Sequence, residues 1–218
     1  MKSEAQVFIA QNTSLTVPPH VPELKLRLAT EAHELWQKTE EDLEAIGLPP
    51  PYWAFAWAGG QGLARHVLDH PRLVAGKSVL DFACGSGLVA IAARLAGAGA
   101  VMACDIDPWS AMATAMNAAH NGVQIAARSD DIIGTDDGWQ VVLAGDVFYD
   151  RDLAEAVTPW FEMLARRGAD VLIGDPGRAY CPRDRLEELA VYAVPVTRAL
   201  EDSEVKRTTV WRFAPEND

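Results

Sequence analysis

Residues 77–107 read KSVLDFACGSGLVAIAARLAGAGAVMACDID, and this stretch decides the fold. A short apolar run, KSVLDF, gives way to a loop with two glycines, a helical stretch over 87–97 and a second apolar run, AVMACD at 100–105. Strands covered on both faces lose the alternation of a half-buried strand, so two such runs joined through a helix describe a parallel crossover unit. The alternation continues outward. Further strands are expected at 123–127 (VQIAA), 140–145 (QVVLAG) and 169–174 (ADVLIG), with helices at 108–120, 152–167 and 183–190. The tail differs: VYAVPVTRAL and EVKRTTVWRF, separated by a short acidic turn, are β-rich and predict an antiparallel hairpin at the sheet edge. The fold class is therefore α/β, a largely parallel sheet of seven strands.

Upstream of this core, Leu24, Leu28, Leu35, Trp36, Leu43 and Ile46 are spaced among charges, which predicts one or two amphipathic helices over 21–46, ended near Gly47. Pro49 to Pro51 break the chain, YWAFAWAGGQG follows at 52–62, and a helix is expected over 63–69. The reading divides the chain into an N-terminal helical cap with an aromatic loop, 1–70, and a ligand-binding core, 71–218, in one compact unit.

Composition narrows the function. The chain has 218 residues, 49% hydrophobic and 23% charged, which suits a folded protein and not a disordered one. A net charge of −12 repels polyphosphates, so no nucleic-acid partner is expected; it favours a basic partner or serves solubility alone. Cys84, Cys104 and Cys181 form no CxxC pair and the five histidines lack ligand spacing, so neither a disulfide framework nor a metal site is expected. The start, MKSEAQVFIAQNTSLTV, lacks a basic leader, and no window approaches the ~18 apolar residues of a membrane span. A cytoplasmic protein without membrane contact is the expectation.

Candidate chemistry gathers at the strand ends. In DFACGSG, 81–87, glycines allow close backbone approach to a ligand, and free N–H groups at the helix start face it. Ala90 stands where a dinucleotide fingerprint has its third glycine, an allowed variant, so this loop alone leaves a dinucleotide open. Asp81 suits an ammonium group such as that of the amino acid end of S-adenosylmethionine, and Gly85, Ser86 and Gly87 form the loop that would cradle it. Asp105, twenty residues after Gly85, can accept both ribose hydroxyls of a nucleoside or stand as a loop acid, while Asp107 before Pro108 reads as a helix cap. Asp130 and Asp131 lie where such folds read an adenine amino group, with the inward one undecided. After the fourth strand comes GDVFYD: Gly145 meets the cofactor edge, Asp146 and Tyr149 can converge on an incoming amine, and Asp150 can cap the next helix. Trp53, Phe55 and Trp57 are either core or cavity wall, with Trp57 favoured as wall because glycines follow it. GDPGR, 174–178, with Tyr180 beyond, is a turn or part of the same ligand edge.

Taken together, PYWAFAWAGGQGLAR, VLDFACGSGLVAIAA, ACDIDPWS, NAAHNGV, GDVFYD and IGDPGR resemble the class I methyltransferases with a Rossmann-like core. Among these they are most similar to the seven-β-strand protein lysine methyltransferases, specifically those of the electron transfer flavoprotein beta subunit and their bacterial relatives. The resemblance implies S-adenosylmethionine as cofactor, contacted by Gly85 to Gly87, Asp105 and Trp57, with Asp146 and Tyr149 in the active site. It implies a protein substrate, the flavoprotein subunit, with a ribosomal protein as the alternative. A catalytically silent binding module is the non-enzymatic reading, opposed by the intact Asp81, Gly85, Gly87, Asp105 and Asp146. A nucleic-acid amino methyltransferase would carry prolines where Val147 and Phe148 stand. One departure is Ala83, where many class I enzymes have glycine. The absence of a mitochondrial presequence suggests a bacterial version.

Overall fold

A computed structural model describes residues 4–30, 35 and 50–215. Helix α1 (Glu4–Asn12) and a two-stranded antiparallel ribbon, β1 (Ser14–Thr16) with β2 (Leu26–Leu28), precede the main body. That body alternates α2 (Ala58–Asp69), β3 (Ser78–Phe82), α3 (Leu88–Leu95), β4 (Ala100–Cys104), α4 (Pro108–His120) and β5 (Ala126–Arg128). It continues through β6 (Val141–Gly145), α5 (Arg151–Arg166), β7 (Asp170–Asp175), β8 (Leu186–Pro195), α6 (Arg198–Glu201) and β9 (Val205–Phe213). The seven-stranded sheet runs in the order β5-β4-β3-β6-β7-β9-β8, with its first five strands parallel and β9 antiparallel to both neighbours. The expected sheet and its terminal hairpin are both present.

Each central strand divides its side chains between two cores. Val79, Val101, Leu143 and Leu172 pack with Leu63, Val89 and Ala118 of α2, α3 and α4; Leu80, Val142, Val171 and Ile173 pack with Trp160, Phe161 and Leu164 of α5. Both faces are dry, which is why these strands read as unbroken apolar runs. The chain leaves β3 for β4 and β5 on one side and returns to β6 on the other. Open α/β sheets bind ligands in the crevice at the carboxyl ends of the strands where the order reverses in this way.

Three local expectations give way to tertiary pairing. Residues 21–30 contain no helix: β2 occupies 26–28, paired with β1, while Asn117 of α4 and Asn121 just beyond its end bond the backbone of Arg27 and Lys25. Most of the rest of the predicted 21–46 helical span lies outside the described residues. The expected helix at 183–190 is a short 3-10 turn, Arg183–Arg185, followed by β8, whose ladder with β9 starts at Leu186. The hairpin connection expected as a turn contains α6.

The tightest packing is backbone on backbone. At the start of α2, Gly59 lies against the carbonyl of Gly174 on β7, and a β-carbon on Gly145 of β6 would sit 2.8 Å from Gly60 Cα. Side chains at Gly59, Gly145 or Gly174 would force α2 off the sheet. Beneath α3, the Asp81 carboxylate is buried and accepts the Ala90 N–H at 2.8 Å. Burial pushes its carboxyl up to about 8, opposed by that hydrogen bond and reinforced by Asp105.

Two measurements follow. Gly59→Ala is expected to lose about 1–3 kcal/mol in urea denaturation, the range for overpacking a dense contact. Gly60→Ala has only ordinary contact with Leu88 at 3.7 Å and is expected to keep its stability. Asp81 has a folded pKa above its unfolded one, so its contribution is complete below the ordinary carboxyl value near 3.8 and is lost as pH rises toward about 8. Asp81→Asn keeps an acceptor for Ala90 N–H and removes that titration. Its stability relative to wild type should therefore grow from pH 5 to pH 8; a constant difference across this window would show that Asp81 is ionised throughout.

Candidate active site

At the carboxyl ends of β3, β4 and β6 lies a cavity of about 540 Å³. Its walls include Phe82, Ala83 and Gly85 from the first loop, Asp105 to Asp107 from the second and Asp130 to Ile133 from the third. Gly145, Asp146, Val147 and Tyr149 follow β6, and Tyr52, Trp57 and Arg178 close the far end. The structure thus gathers Trp57, Gly85, Asp105, Asp130, Asp131, Gly145, Asp146 and Tyr149 around one space. Asp81, Ser86 and Gly87 stand behind its wall.

The loop after β3 is built on left-handed backbone. Gly85 and Gly87 have φ of +51° and +78°, and Ala83 has +53°, a conformation costing an alanine roughly 1–2 kcal/mol that glycine avoids. Glycine at 83 in many class I enzymes has this physical reason. Gly87 is further required because a β-carbon would press on Thr114 at 2.7 Å. Gly85 N–H donates to Asp105 Oδ2 at 2.9 Å, and Asp107 N–H donates to Asp105 Oδ1 at 3.0 Å. One carboxylate therefore ties the loops after β3 and β4 together, and burial raises its pKa. Asp107 caps α4 through Trp109 N–H, as expected from Pro108. Ser86 is buried, with its carbonyl bonded by Asn117 Nδ2 at 2.8 Å.

Asp130 and Asp131 both reach the cavity wall. Asp130 pairs with Arg128, which holds its carboxyl below the usual range; Asp131 Oδ1 accepts the Ile133 N–H at 3.0 Å. Trp53 is core, stacked on Trp109 with centroids 6.3 Å apart and almost fully buried. Trp57 is wall: its Nε1 donates to Tyr52 O at 3.0 Å and its ring meets Tyr52 at 6.0 Å. Tyr52 in turn meets the Tyr149 ring at 5.7 Å. These three rings line one end of the cavity, beside Asp146.

Asp146 occupies a left-handed conformation, φ +59°, which aspartate tolerates better than most side chains. Its Oδ2 accepts Gly60 N–H at 2.9 Å, and its Oδ1 accepts Arg178 Nε at 3.0 Å and Nη2 at 2.6 Å. An ionised carboxylate has about four acceptor sites, so one remains for an incoming group. Burial lifts its pKa to about 6 against the pull of Arg178. Arg178 was ambiguous in the sequence and is a cavity residue. Glu201, which pairs with Arg178 at 2.9 Å, carries no sequence signal.

The cavity's charge discriminates between ligands. Among the described residues, Asp105, Asp107, Asp130, Asp131 and Asp146 line it against one cation, Arg178. A dinucleotide would bring a pyrophosphate into this field, so the acidic lining disfavours the dinucleotide reading left open by Ala90. A nucleoside with a sulfonium and an ammonium group suits such a lining: Asp105 presents a carboxylate, and Ile106, Ile132 and Ile133 offer apolar walls. Among the described residues no group of His, Cys, Asp or Glu is arranged to hold a metal ion, and no helix is long and apolar enough to cross a membrane.

Residues 66–145 match the ribosomal protein L11 methyltransferase family. The electron transfer flavoprotein beta subunit lysine methyltransferase of Danio rerio is 42% identical over 214 residues, covering 94% of this chain and 82% of that protein. The protein of the same name from Homo sapiens is 36% identical over 220 residues, with 97% and 83% covered. Among solved structures, the ribosomal protein L11 methylase from Lactobacillus delbrueckii subsp. bulgaricus superposes with a TM-score of 0.51 at 20% identity, covering 73% of this chain and 81% of that one. The magnesium protoporphyrin IX methyltransferase from Synechocystis, solved with bound S-adenosylmethionine, gives 0.53 at 16% identity, with 72% and 80% covered. These structures share the class I methyltransferase fold. The full-length sequence relatives go further: the chain belongs to the electron transfer flavoprotein beta subunit lysine methyltransferase family.

Proposed function

We propose that the protein transfers a methyl group from S-adenosylmethionine to a lysine side chain of the electron transfer flavoprotein beta subunit. The observation that carries this reading is the extent of the similarity. The L11 methyltransferase match stops at Gly145, one residue short of Asp146, whereas the flavoprotein methyltransferase relative aligns with 94% of the chain. The stretch matched to the ribosomal family, residues 66–145, contains the glycine loop and Asp105.

S-adenosylmethionine supplies, when bound, a methyl group activated by a positively charged sulfur. Gly85, Asp105, Asp130, Asp131 and Gly145 would hold it, with Asp81, Ser86 and Gly87 shaping the loop from behind. The remaining work falls to the chain's own residues. A lysine amine must be neutral to act as nucleophile, and with a free pKa of about 10.4 its deprotonation near pH 7 costs about 4–5 kcal/mol. Tyr52 and Tyr149 are exposed in the free protein; once the substrate covers them and Trp57, the three rings would exclude water around the amine and lower that cost. Their faces also attract the cationic product as it forms. Asp146 orients the amine through its remaining acceptor site. Because Arg178 already balances this carboxylate, it grips an ammonium less tightly than a bare acid would. Burial raises the Tyr149 phenol above its ordinary value, so it stays protonated at neutral pH and can donate.

Asp105→Asn is expected to weaken S-adenosylmethionine binding by about 1.5–3 kcal/mol, the scale for hydrogen bonds to a charged group. Titration calorimetry showing wild-type affinity in a normally folded variant would remove Asp105 from the cofactor site. Asp146→Asn is expected to slow methylation of the flavoprotein subunit on the order of a hundredfold, the effect of a misplaced reacting atom, while cofactor affinity is retained. Tyr149→Phe should be milder. Labelled methyl transfer to purified flavoprotein subunit, with the lysine located by mass spectrometry, tests the whole reading; labelling of a ribosomal protein in its place would redirect it.

A further inference from the structure

Arg178 and Glu201 come from segments far from the glycine loop, yet they meet at Asp146. Arg178 lies in the loop after β7, where Asp175 Oδ1 accepts its backbone N–H at 2.9 Å and that of Gly177 at 2.6 Å. Its guanidinium gives two bonds to Asp146 Oδ1, one bond to Glu201 Oε1 at 2.9 Å, and lies 5.7 Å from the Trp57 ring centroid. Glu201 belongs to α6 in the β8–β9 connection, and its side chain is only 1% exposed. Its Oε1 also accepts Ala58 N–H at the start of α2. Two acids thus share one cation, and the cluster carries one negative charge in excess when both are ionised.

Resting on the functional reading above, we propose that Arg178 and Glu201 are positioning residues for lysine methylation. Arg178 fixes the Asp146 carboxylate in the cavity, and Glu201 fixes Arg178. The excess negative charge is then completed by the incoming ammonium, which gives its proton to solvent water before the neutral amine takes the methyl group from the sulfonium. A carboxylate bonded on one oxygen by a guanidinium fork and on the other by a backbone N–H has its plane set, so its free acceptor site has one direction. The α6 connection thereby becomes part of the active site. Arg178 and Glu201 are the charged groups that bear on Asp146, from the β7 loop and from α6; α2 adds the uncharged Gly60 N–H. Arg178 favours the ionised carboxylate and Glu201 opposes it.

Two variants with opposite expected signs test the proposal. In the cofactor-free protein, the Asp146 carboxyl carbon is followed by NMR with labelled aspartate and assigned with Asp146→Asn. Its titration midpoint should rise in Arg178→Gln and fall in Glu201→Gln. In the methylation assay both variants should lose kcat on the order of tenfold or more with calorimetric affinity for S-adenosylmethionine retained, the result of a loosened reacting geometry. Arg178→Lys, which keeps charge without the fork, should recover only part of the rate. Unmoved midpoints in both variants, or wild-type kcat in both, would reduce the pair to a structural ion pair. Faster turnover in Arg178→Gln would overturn the proposal by showing that the cation blocks the amine. Should Arg178→Gln not fold, Glu201→Gln and Arg178→Lys decide the same question. Wild-type protein that leaves the flavoprotein subunit unmodified would defeat the functional reading, while the NMR midpoints would still decide whether the pair governs Asp146.

Discussion

The contact of Gly59 and Gly60 with Gly145 and Gly174 is the constraint on which the rest of the site depends. Without β-carbons at Gly59, Gly145 and Gly174, the first turn of α2 settles against the carboxyl ends of β6 and β7. That approach carries Trp57 to the cavity wall, aims Gly60 N–H at Asp146, and leaves Ala58 N–H for Glu201. A helix held a few ångströms further off would leave Asp146 without its backbone donor. Glycine is costly at the start of a helix only in entropy, and the gain is a backbone surface that no other residue presents. Packing and the geometry of the cavity meet in the same four residues.

A second regularity runs along the sheet. The strands β3, β4, β6 and β7 each carry an aspartate at or near the carboxyl end, and each of these carboxylates accepts backbone N–H groups from the segment it must hold. Asp81 bonds Ala90, Asp105 bonds Gly85 and Asp107, Asp146 bonds Gly60, and Asp175 bonds Gly177 and Arg178. Loops at a ligand edge cannot draw rigidity from a hydrophobic core because they line a cavity. Hydrogen bonds from backbone N–H groups to these carboxyls fix them instead, and where the carboxyl is ionised such charge-assisted bonds are among the strongest available.

The sheet was legible because β3, β4, β6 and β7 are buried on both faces, so sequence hydropathy and position in the fold report the same thing. Helix α4 was legible from Asp107 and Pro108, and the glycine loop and Asp105 from their spacing. The ribbon at Leu26–Leu28 was not, since it is held by Asn117 and Asn121 at the end of a helix some ninety residues away. Strand β8 failed for a related reason: its first residues alternate weakly and owe their extended form to β9. Among site residues, those next to a strand end or a glycine could be found. Glu201 could not, because nothing local distinguishes a glutamate in a four-residue helix from the other surface acids until Arg178 is placed beside it. Tyr52 was read with the aromatic loop, but its place opposite Tyr149 is set by the fold.

The charge of the cavity links these features to ligand binding. Asp81 has no cation beside it, Asp105 is satisfied by backbone and Ser110, and Asp146 shares Arg178 with Glu201. Burial pushes all three carboxyls upward, a cost that the folded protein bears and that Arg178 offsets in part at Asp146. A sulfonium, an α-ammonium and a lysine ammonium would each bring the missing charge to this cavity, and each would gain from the deficit. Whatever binds the folded form and not the unfolded one also stabilises it. The same excess of acid that lowers the intrinsic stability of the strand ends therefore makes the site selective for cationic ligands. The methylated product retains its positive charge after transfer, so that attraction has to be limited if product is to leave. On the proposed reading, Arg178, by neutralising part of Asp146, supplies that limit.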